Sequence, residues 1–353
     1  MRRRPFVFIF LIVVPLMKGL AQSGGDNTYD FLNLTTSARA AALGGTVLSI
    51  NDGDLNLIFN NPSLLDSTMH NNLAINYVDY FAGINYGYAA YARSYRNVGN
   101  FAAGIQYVNY GEFIKADETG QINGKFRAAE YAFNLMYSRP LKDSVFMAGV
   151  NLKPVFVSYE SYQSFGLALD AGITYNNPDK LFAASLVVRN LGTMITTYYA
   201  GGDREKLPFE IQLGLSQKLQ HAPFRFSLIA THLEKWDLTY QTESGQQNQV
   251  DPLTGESAQK SSLDRFFDKF MRHMIVGVEF IPTKSFMVRV GYNYKRRQEM
   301  KIDSRVAMVG FSWGFGIRIS KFNISYGRAT YHLAGASNHI TLSTNLSEFS
   351  KKF

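Results

Sequence analysis

The chain has 353 residues, no cysteine and a formal net charge of +8 at pH 7. Without cysteine there are no disulfides, no thiol chemistry and no lipid-anchored cysteine at the mature N-terminus. Four positive charges belong to Arg2, Arg3, Arg4 and Lys18, so 8 − 4 leaves +4 for the rest of the chain, which is too small to predict nucleic-acid binding.

The first 21 residues are predicted to be a secretory signal peptide. Three arginines precede the apolar stretch Phe6–Met17, and Gly19-Leu20-Ala21 offers small residues for cleavage before Gln22. That stretch is too short to span a membrane as a helix. We therefore expect the mature chain to begin at Gln22.

Residues 22–71 are predicted to form an N-terminal plug with one short helix. Ser37 is a suitable N-cap, the alanines that follow favour helix, and Gly44-Gly45 would end it. Asn61 and Pro62 are likewise expected to have a structural role within this plug segment. Arg39, on the helix, is expected to pair with a carboxylate such as Glu210 or Glu279.

Residues 72–353 are predicted to form a β-barrel. Fourteen short segments alternate apolar and polar residues, a period of two that places successive side chains on opposite faces. An apolar face toward lipid and a polar face toward a lumen are typical of an outer-membrane barrel, whereas a soluble β-sandwich is the alternative. The predicted strands are approximately 72–80, 84–94, 99–110, 128–139, 145–159, 164–175, 182–190, 209–219, 224–233, 273–281, 286–295, 306–318, 322–332 and 339–346.

The gaps between these segments are alternately short and often long. The short ones carry Asn, Pro, Asp and Ser, and the long ones include 111–127, 191–208, 234–272 and 296–305. Short turns are periplasmic and long loops extracellular in such barrels, which would place both termini in the periplasm. A lumen of fourteen strands is wider than side chains alone can fill, so the plug is expected to occupy it.

The longest gap ends in a predicted amphipathic helix. Its apolar residues recur at helical spacing, namely Leu263, Phe266, Phe267, Phe270 and Met271. Such a helix could dock a partner protein, cover the mouth of its own barrel or lie at the membrane interface.

No residue pattern predicts an enzyme, a metal site or a cofactor. The six histidines are scattered, and none is paired at a spacing typical of zinc sites. Asn51-Asp52-Gly53-Asp54 resembles the start of a calcium loop but lacks the later acidic ligand, so it is interpreted as a turn. The glycines of 310–316 are expected to face the lumen and allow close approach of the plug backbone.

Several segments resemble the PorV/PorQ family of outer-membrane proteins of the type IX secretion system, which are related to FadL-type barrels. The general family resemblance is carried by the segment Ser37–Gly45 and by Asn60–Leu65, in which Ser63 replaces an expected alanine. The PorQ branch is indicated by Gly25–Asn27, Asp30–Leu34, Phe81–Gly87, His221–Ser227, Trp236–Leu238 and Tyr331–Gly335.

This resemblance implies a non-enzymatic component of the cell-surface attachment complex. Its partners would be PorZ, which it would anchor directly, together with PorU and PorV, which process secreted cargo and attach it to anionic lipopolysaccharide. The alternative is a FadL-like channel for hydrophobic small molecules with the plug as its gate.

Overall fold

The computed structural model describes residues 27–141, 145–177, 179–239, 261–300, 308–332 and 335–350. The predicted signal peptide and the middle of the longest loop lie outside these residues. No helix among the described residues is long and apolar enough to cross a membrane.

Fourteen antiparallel strands form one closed barrel in which each strand pairs with its sequence neighbours and β1 pairs with β14. The strands are β1 (Asn72–Asp79), β2 (Asn85–Tyr95), β3 (Gly99–Ala116), β4 (Ile122–Pro140), β5 (Phe146–Tyr159), β6 (Tyr162–Asn177), β7 (Phe182–Thr196), β8 (Glu210–Lys218), β9 (Phe224–Ala230), β10 (Met274–Phe280), β11 (Phe286–Asn293), β12 (Phe311–Ile319), β13 (Phe322–His332) and β14 (Gly335–Asn345). Closure leaves no free edge along the shared height of the strands. The predicted barrel and its strand number are confirmed.

The two faces of the strands differ as the alternation predicts. Val276 and Val290 are 40% and 48% exposed on the outer face, whereas Glu279 and Arg289 on the same strands are 1% and 2% exposed. Bare apolar side chains outside and polar side chains within match a barrel that is surrounded by lipid. The β-sandwich alternative is excluded by the closed strand order.

The connections at one end of the barrel are all short turns, and the other end carries every long connection: those between β7 and β8, β9 and β10, and β11 and β12. Three of the four predicted long gaps differ substantially from the prediction in their bounds. The expected loop 111–127 is instead a continuation of β3 and β4, closed by a turn in which Asp117 accepts hydrogen bonds from the backbone of Thr119 and Gln121. The alternation of residues 111–116 was too short to reveal this hairpin extension.

Strand boundaries also shift around β11 and β12. β11 ends at Asn293, whose side chain accepts a hydrogen bond from the Arg296 backbone and begins the short helix α3 (Tyr294–Glu299). β12 begins at Phe311 rather than at residue 306. β7 continues to Thr196 past a bulge at Asn190, beyond its predicted end.

Residues 27–71, called the plug below, lie inside the barrel. Helix α1 (Ala38–Ala42) is capped by Ser37, which accepts a hydrogen bond from Ala40, as predicted. The plug also contains four short 3₁₀ helices, one before α1 and three after it: Asp30–Asn33, Leu55–Leu57, Pro62–Leu64 and Ser67–Met69. Apolar clusters around Leu43, Leu57 and Leu64 show that the plug has a small core of its own.

The plug crosses the lumen from end to end. Asn27 pairs with Lys206 in the long connection between β7 and β8, whereas Asp52 contacts Arg225 at the short-turn end of β9. The C-terminal strand ends beside Asn72, also at the short-turn end. Asn27, the first described residue, therefore lies at the opposite end of the barrel from the end of β14. The predicted mature N-terminus at Gln22 lies outside the described residues, so the placement of both termini in the periplasm stays a prediction.

Candidate functional site: plug anchor, mouth cavity and outer helix

A cluster of buried charges, called the plug anchor, fixes helix α1 to the barrel wall. Arg39 donates two hydrogen bonds of 2.9 Å to the carboxylate of Glu279 on β10. It also donates bonds of 2.9 and 2.7 Å to Asp52 and one of 3.0 Å to Asp54. All the donor nitrogens of this guanidinium are thus occupied by carboxylates.

Two arginines of the barrel complete the plug anchor. Arg225 contacts Asp52 at 2.7 Å and Glu279 at 2.9 Å, and Arg289 contacts Glu279 at 2.9 Å. Three arginines therefore balance three carboxylates, and the cluster is neutral as a whole. This balance matters because an unpaired charge at such a depth would cost several kcal/mol.

The charges of the plug anchor hold each other ionised. Burial disfavours the charged form of Asp52, but the adjacent Arg39 and Arg225 outweigh it and keep the pKa of this carboxyl well below its usual range. Burial likewise opposes the charge of Arg39, and the neighbouring carboxylates raise its pKa well above the ordinary value. Arg39 and Asp52 are consequently both charged at neutral pH, so their ion pair is complete there.

The other plug residues singled out by sequence lie against the wall. Gly44 and Gly45 adopt φ angles of 101° and 114°, and a Cβ on Gly44 would lie 2.4 Å from Ile275. Asn61 donates to Leu48 and to Thr174 on β6 at 2.7 and 3.0 Å. Arg39 contacts Glu279, whereas the other expected partner, Glu210, accepts a hydrogen bond from the His232 backbone.

Glycines of the wall allow the plug to approach closely. An added Cβ would lie 2.4 Å from Pro62 at Gly149, 2.2 Å from Leu43 at Gly291 and 2.3 Å from Ala38 at Gly327. On β12, a Cβ at Gly314 would lie 2.7 Å from Ala42, within the glycine-rich stretch for which the sequence predicts this role. Backbone contact on several sides leaves the plug little freedom to shift.

A second buried ion pair supports the start of the plug. Lys153 on β5 lies 2.6 Å from Asp170 on β6, and both side chains are 1% exposed. Asp170 also accepts a 2.8 Å hydrogen bond from the backbone of Asn190, whose side-chain amide donates to Asn33 at 2.8 Å. Sequence reasoning missed this pair, and also Asp52 and Asp54, because charges on separate strands show no common spacing.

A cavity of about 560 Å³ opens at the long-connection end between the plug and the wall; it is called the mouth cavity. It is lined by Asn27, Thr28, Tyr29, Asp30, Phe31, Tyr110, Glu130, Tyr159, Tyr162, Tyr198, Tyr199 and Glu205. Tyr110 donates a 2.7 Å hydrogen bond to Glu130, and Tyr159 also donates to this carboxylate. Burial raises the pKa of Tyr29, at the cavity floor, to about 12, so this hydroxyl stays protonated.

The predicted amphipathic helix is present as α2 (Ser262–Arg272), called the outer helix. Ser261 caps it by accepting a hydrogen bond from Asp264. Of its five predicted contact residues, Met271 is half-buried and the others are 42–66% exposed: Leu263, Phe266, Phe267 and Phe270. The polar side holds the helix to the rim, because Lys269 lies 2.6 Å from Asp237.

The two histidines beside the outer helix are occupied by structural contacts. The ring of His273 lies 2.7 Å from the carbonyl of Thr231 and 3.2 Å from that of Trp236. The ring of His232 lies 3.4 Å from Glu234 and 3.1 Å from Lys295. Among the described residues, no three His, Asp or Glu side chains are grouped so that they could hold a metal ion.

Comparison with known proteins finds solved structures with a similar fold. No family model matches the chain, and no curated protein matches it significantly. The barrel is similar to the deltaS2 mutant of the TodX monoaromatic hydrocarbon channel, at 12% identity over 88% of this chain and 97% of that chain, with a TM-score of 0.51. It is also similar to the P. putida toluene transporter TodX, at 12% identity over 89% of this chain and 99% of that chain, with a TM-score of 0.51.

A third solved structure, a Pseudomonas aeruginosa FadL homologue, matches at 12% identity over 88% of this chain and 98% of that chain, with a TM-score of 0.47. At such identity the likeness to TodX concerns the fold alone. The protein is a closed barrel of fourteen antiparallel strands with an N-terminal plug, similar in fold to TodX, and its apolar outer surface is that of an integral outer-membrane protein.

Proposed function

We propose that this protein is a non-enzymatic outer-membrane scaffold of the type IX secretion attachment complex, whose work is done at the long-connection end. That end would face the exterior, where PorZ docks directly and PorU and PorV join to attach cargo to lipopolysaccharide. The partners are inferred from the resemblance of the segments around the plug helix and the rim to the PorV/PorQ family.

The observation that carries the proposal is the way the lumen is filled. The plug is fixed by a neutral cluster of six charged groups, and wall glycines touch its backbone. Releasing it would take Arg39 from Glu279 and Asp52 from Arg225, and a buried charge left without its partner costs about 3–5 kcal/mol. A barrel closed in this way is better suited to hold partners than to conduct a solute.

The outer helix supplies a surface for such partners. Its exposed face carries three phenylalanines and a leucine, while its polar face is tied to the rim by Lys269 and Asp237. Tyr294 of α3 donates a further 2.9 Å hydrogen bond to Asp268 on that polar face. A rigidly held apolar helix face is a common form of protein recognition site.

The test is capture of PorZ, PorU and PorV by tagged protein from outer membranes. We expect Leu263→Ser combined with Phe267→Ser, at sites 66% and 58% exposed, to lower capture of PorZ at least about tenfold. The matched control is Ile114→Ser with Ile122→Ser, at sites 65% and 67% exposed on the hairpin of β3 and β4. Heat-modifiable migration on gels checks that each barrel folds.

Deletion of residues 262–271 should likewise release PorZ while the barrel still inserts. Equal capture by both double variants would remove the outer helix from the proposal. Failure of the unaltered protein to capture any of the three partners would overturn the scaffold function itself.

A channel for hydrophobic small molecules is the second candidate. The solved structures favour it, because neighbours with this fold are named as a hydrocarbon channel and a toluene transporter. The mouth cavity, with its tyrosine walls, offers a place where such a solute could enter. Toluene uptake into vesicles that contain the protein, at a rate clearly above that of protein-free vesicles, would favour this function over the scaffold.

A further inference from the structure

Of the four buried acidic residues of the described chain, Glu130, Asp170, Glu210 and Glu279, only Asp170 and Glu279 contact a Lys or Arg side chain, and only Glu130 lines the mouth cavity. Asp170 contacts Lys153, Glu279 contacts three arginines, and the ring of His232 lies 3.8 Å from Glu210. Glu130 is 3% exposed, and the described groups in contact with its carboxylate are the two tyrosine hydroxyls.

The described residues that line the mouth cavity add negative charge beside Glu130 and supply no positive charge. The mouth cavity is lined by two further acids, Asp30 and Glu205, and none of its lining residues is Lys, Arg or His. Each hydroxyl bond to Glu130 uses one lone pair, so the carboxylate keeps acceptor capacity on the cavity side. A carboxylate that is buried without a cation is costly, so a cation in the cavity would stabilise the charged form of Glu130.

The walls of the cavity are aromatic and are held in place. Tyr159 and Tyr198 are stacked with their ring centroids 5.8 Å apart and their planes 19° apart, and Tyr110 packs edge-on against Tyr159 at 6.2 Å. Tyr29 is anchored by a 3.0 Å hydrogen bond to Ser164. Tyrosine faces attract cations through the ring quadrupole, and several such faces around one space form an aromatic cage.

We propose that the mouth cavity binds an organic cation, an ammonium or guanidinium group carried on an apolar body, with the charge beside Glu130 and Glu205 and the body against the tyrosine rings. The volume of about 560 Å³ is in the range of small-molecule sites. The cation could belong to a free amine or to a lysine or arginine side chain of a docked protein. This inference does not depend on the scaffold function.

The test compares three probes of nearly equal shape and different charge: benzylammonium, benzyl alcohol and benzoate. Calorimetry on the detergent-solubilised full chain should show benzylammonium binding at least about tenfold tighter than benzyl alcohol, and no measurable binding of benzoate. N-acetyl-arginine amide serves as a fourth probe. Tighter binding of that probe than of benzylammonium would indicate a protein side chain as the source of the cation.

The site variants are Glu130→Gln and Glu205→Gln. The amide oxygen of Glu130→Gln still accepts from one tyrosine hydroxyl, and its NH2 group can donate to the oxygen of the other. Glu205 lies in an exposed connection outside the strands. Each should weaken benzylammonium about tenfold or more and leave benzyl alcohol unchanged. The control is Glu112→Gln, an exposed acid on β3 outside the cavity, which should alter nothing.

The proposal would be overturned by equal affinity for benzyl alcohol and benzylammonium. It would also be overturned if neither site variant weakened the binding of benzylammonium. PorZ capture measured on the same variants distinguishes the cation site from the scaffold function, because a variant that loses cation binding keeps the outer helix intact.

Discussion

The strongest prediction concerns Arg39, the centre of the plug anchor. Arg39→Met removes five hydrogen bonds to carboxylates and leaves Asp52, Asp54 and Glu279 with the charges of Arg225 and Arg289 alone. Removing one partner of a buried ion pair costs about 3–5 kcal/mol. Asp52 and Asp54 are 29% and 21% exposed, so water compensates them in part and the lower end of the range, about 3 kcal/mol, applies.

The expected result is a plug that opens far more often. At about 1.4 kcal/mol per factor of ten, 3 kcal/mol corresponds to roughly a hundredfold increase in the open population. The chain has no cysteine, so a single reporter is easily introduced. Ser49→Cys is suited to this use, because Ser49 is 1% exposed and its hydroxyl has no hydrogen-bond partner in the described structure.

The assay is the rate at which a maleimide labels the Ser49→Cys protein, with and without Arg39→Met. The control is Lys125→Met, which breaks the exposed pair with Glu112, where the side chains are 66% and 43% exposed. Such a pair contributes about 0–1 kcal/mol, so labelling should change less than about fivefold. A change below about tenfold for Arg39→Met would show that backbone contacts, and not the plug anchor, hold the plug.

Three further predictions concern the lumen. Gly291→Ala should raise the rate of maleimide labelling of the Ser49→Cys protein, because the new methyl would lie 2.2 Å from the plug backbone and overpacking costs about 1–3 kcal/mol. The control is Gly335→Ala, which has open space around it. Conductance across a planar bilayer should stay low from pH 8 to about pH 4, because a depressed pKa keeps Asp52 ionised. The stabilisation of the closed plug by Asp52 is lost only when the pH falls through that lowered pKa, so an open state at pH 5 would contradict this. Lys153→Met should lower the free energy of unfolding in urea by about 3–5 kcal/mol, because Asp170 is left buried without a cation. Adding Asp170→Asn, which is neutral and keeps an acceptor for the Asn190 backbone, should restore most of the loss, and no recovery would refute the pairing argument.

The sequence by itself determined the barrel and the short helix of the plug. Both are local signals: a period of two along each strand, and Ser37 followed by alanines and Gly44. The amphipathic spacing from Leu263 to Met271 predicted the outer helix for the same reason, since its pattern is complete within eleven residues. A pattern of this kind needs no knowledge of what lies across the lumen.

The tertiary structure alone decided which charges meet. Arg39 could have faced Glu210 or Glu279, and only the register of β10 against the plug selects Glu279. Asp52 and Asp54 were interpreted from sequence as part of a turn. In the structure they accept hydrogen bonds from Arg39, because the plug folds back on its own helix. Barrel closure brings together residues that are far apart in the chain, and no spacing along the sequence records their distance.

The mouth cavity is the clearest case. Tyr29 and Glu130 are about a hundred residues apart, and Tyr198 lies on a third segment. Each tyrosine alone is typical of the interfacial aromatic residues of an outer-membrane barrel. Only the path of the plug across the lumen brings Tyr29 into one cavity with Tyr198 and Glu130, because lumen contacts depend on the curvature of the wall and not on order along the chain.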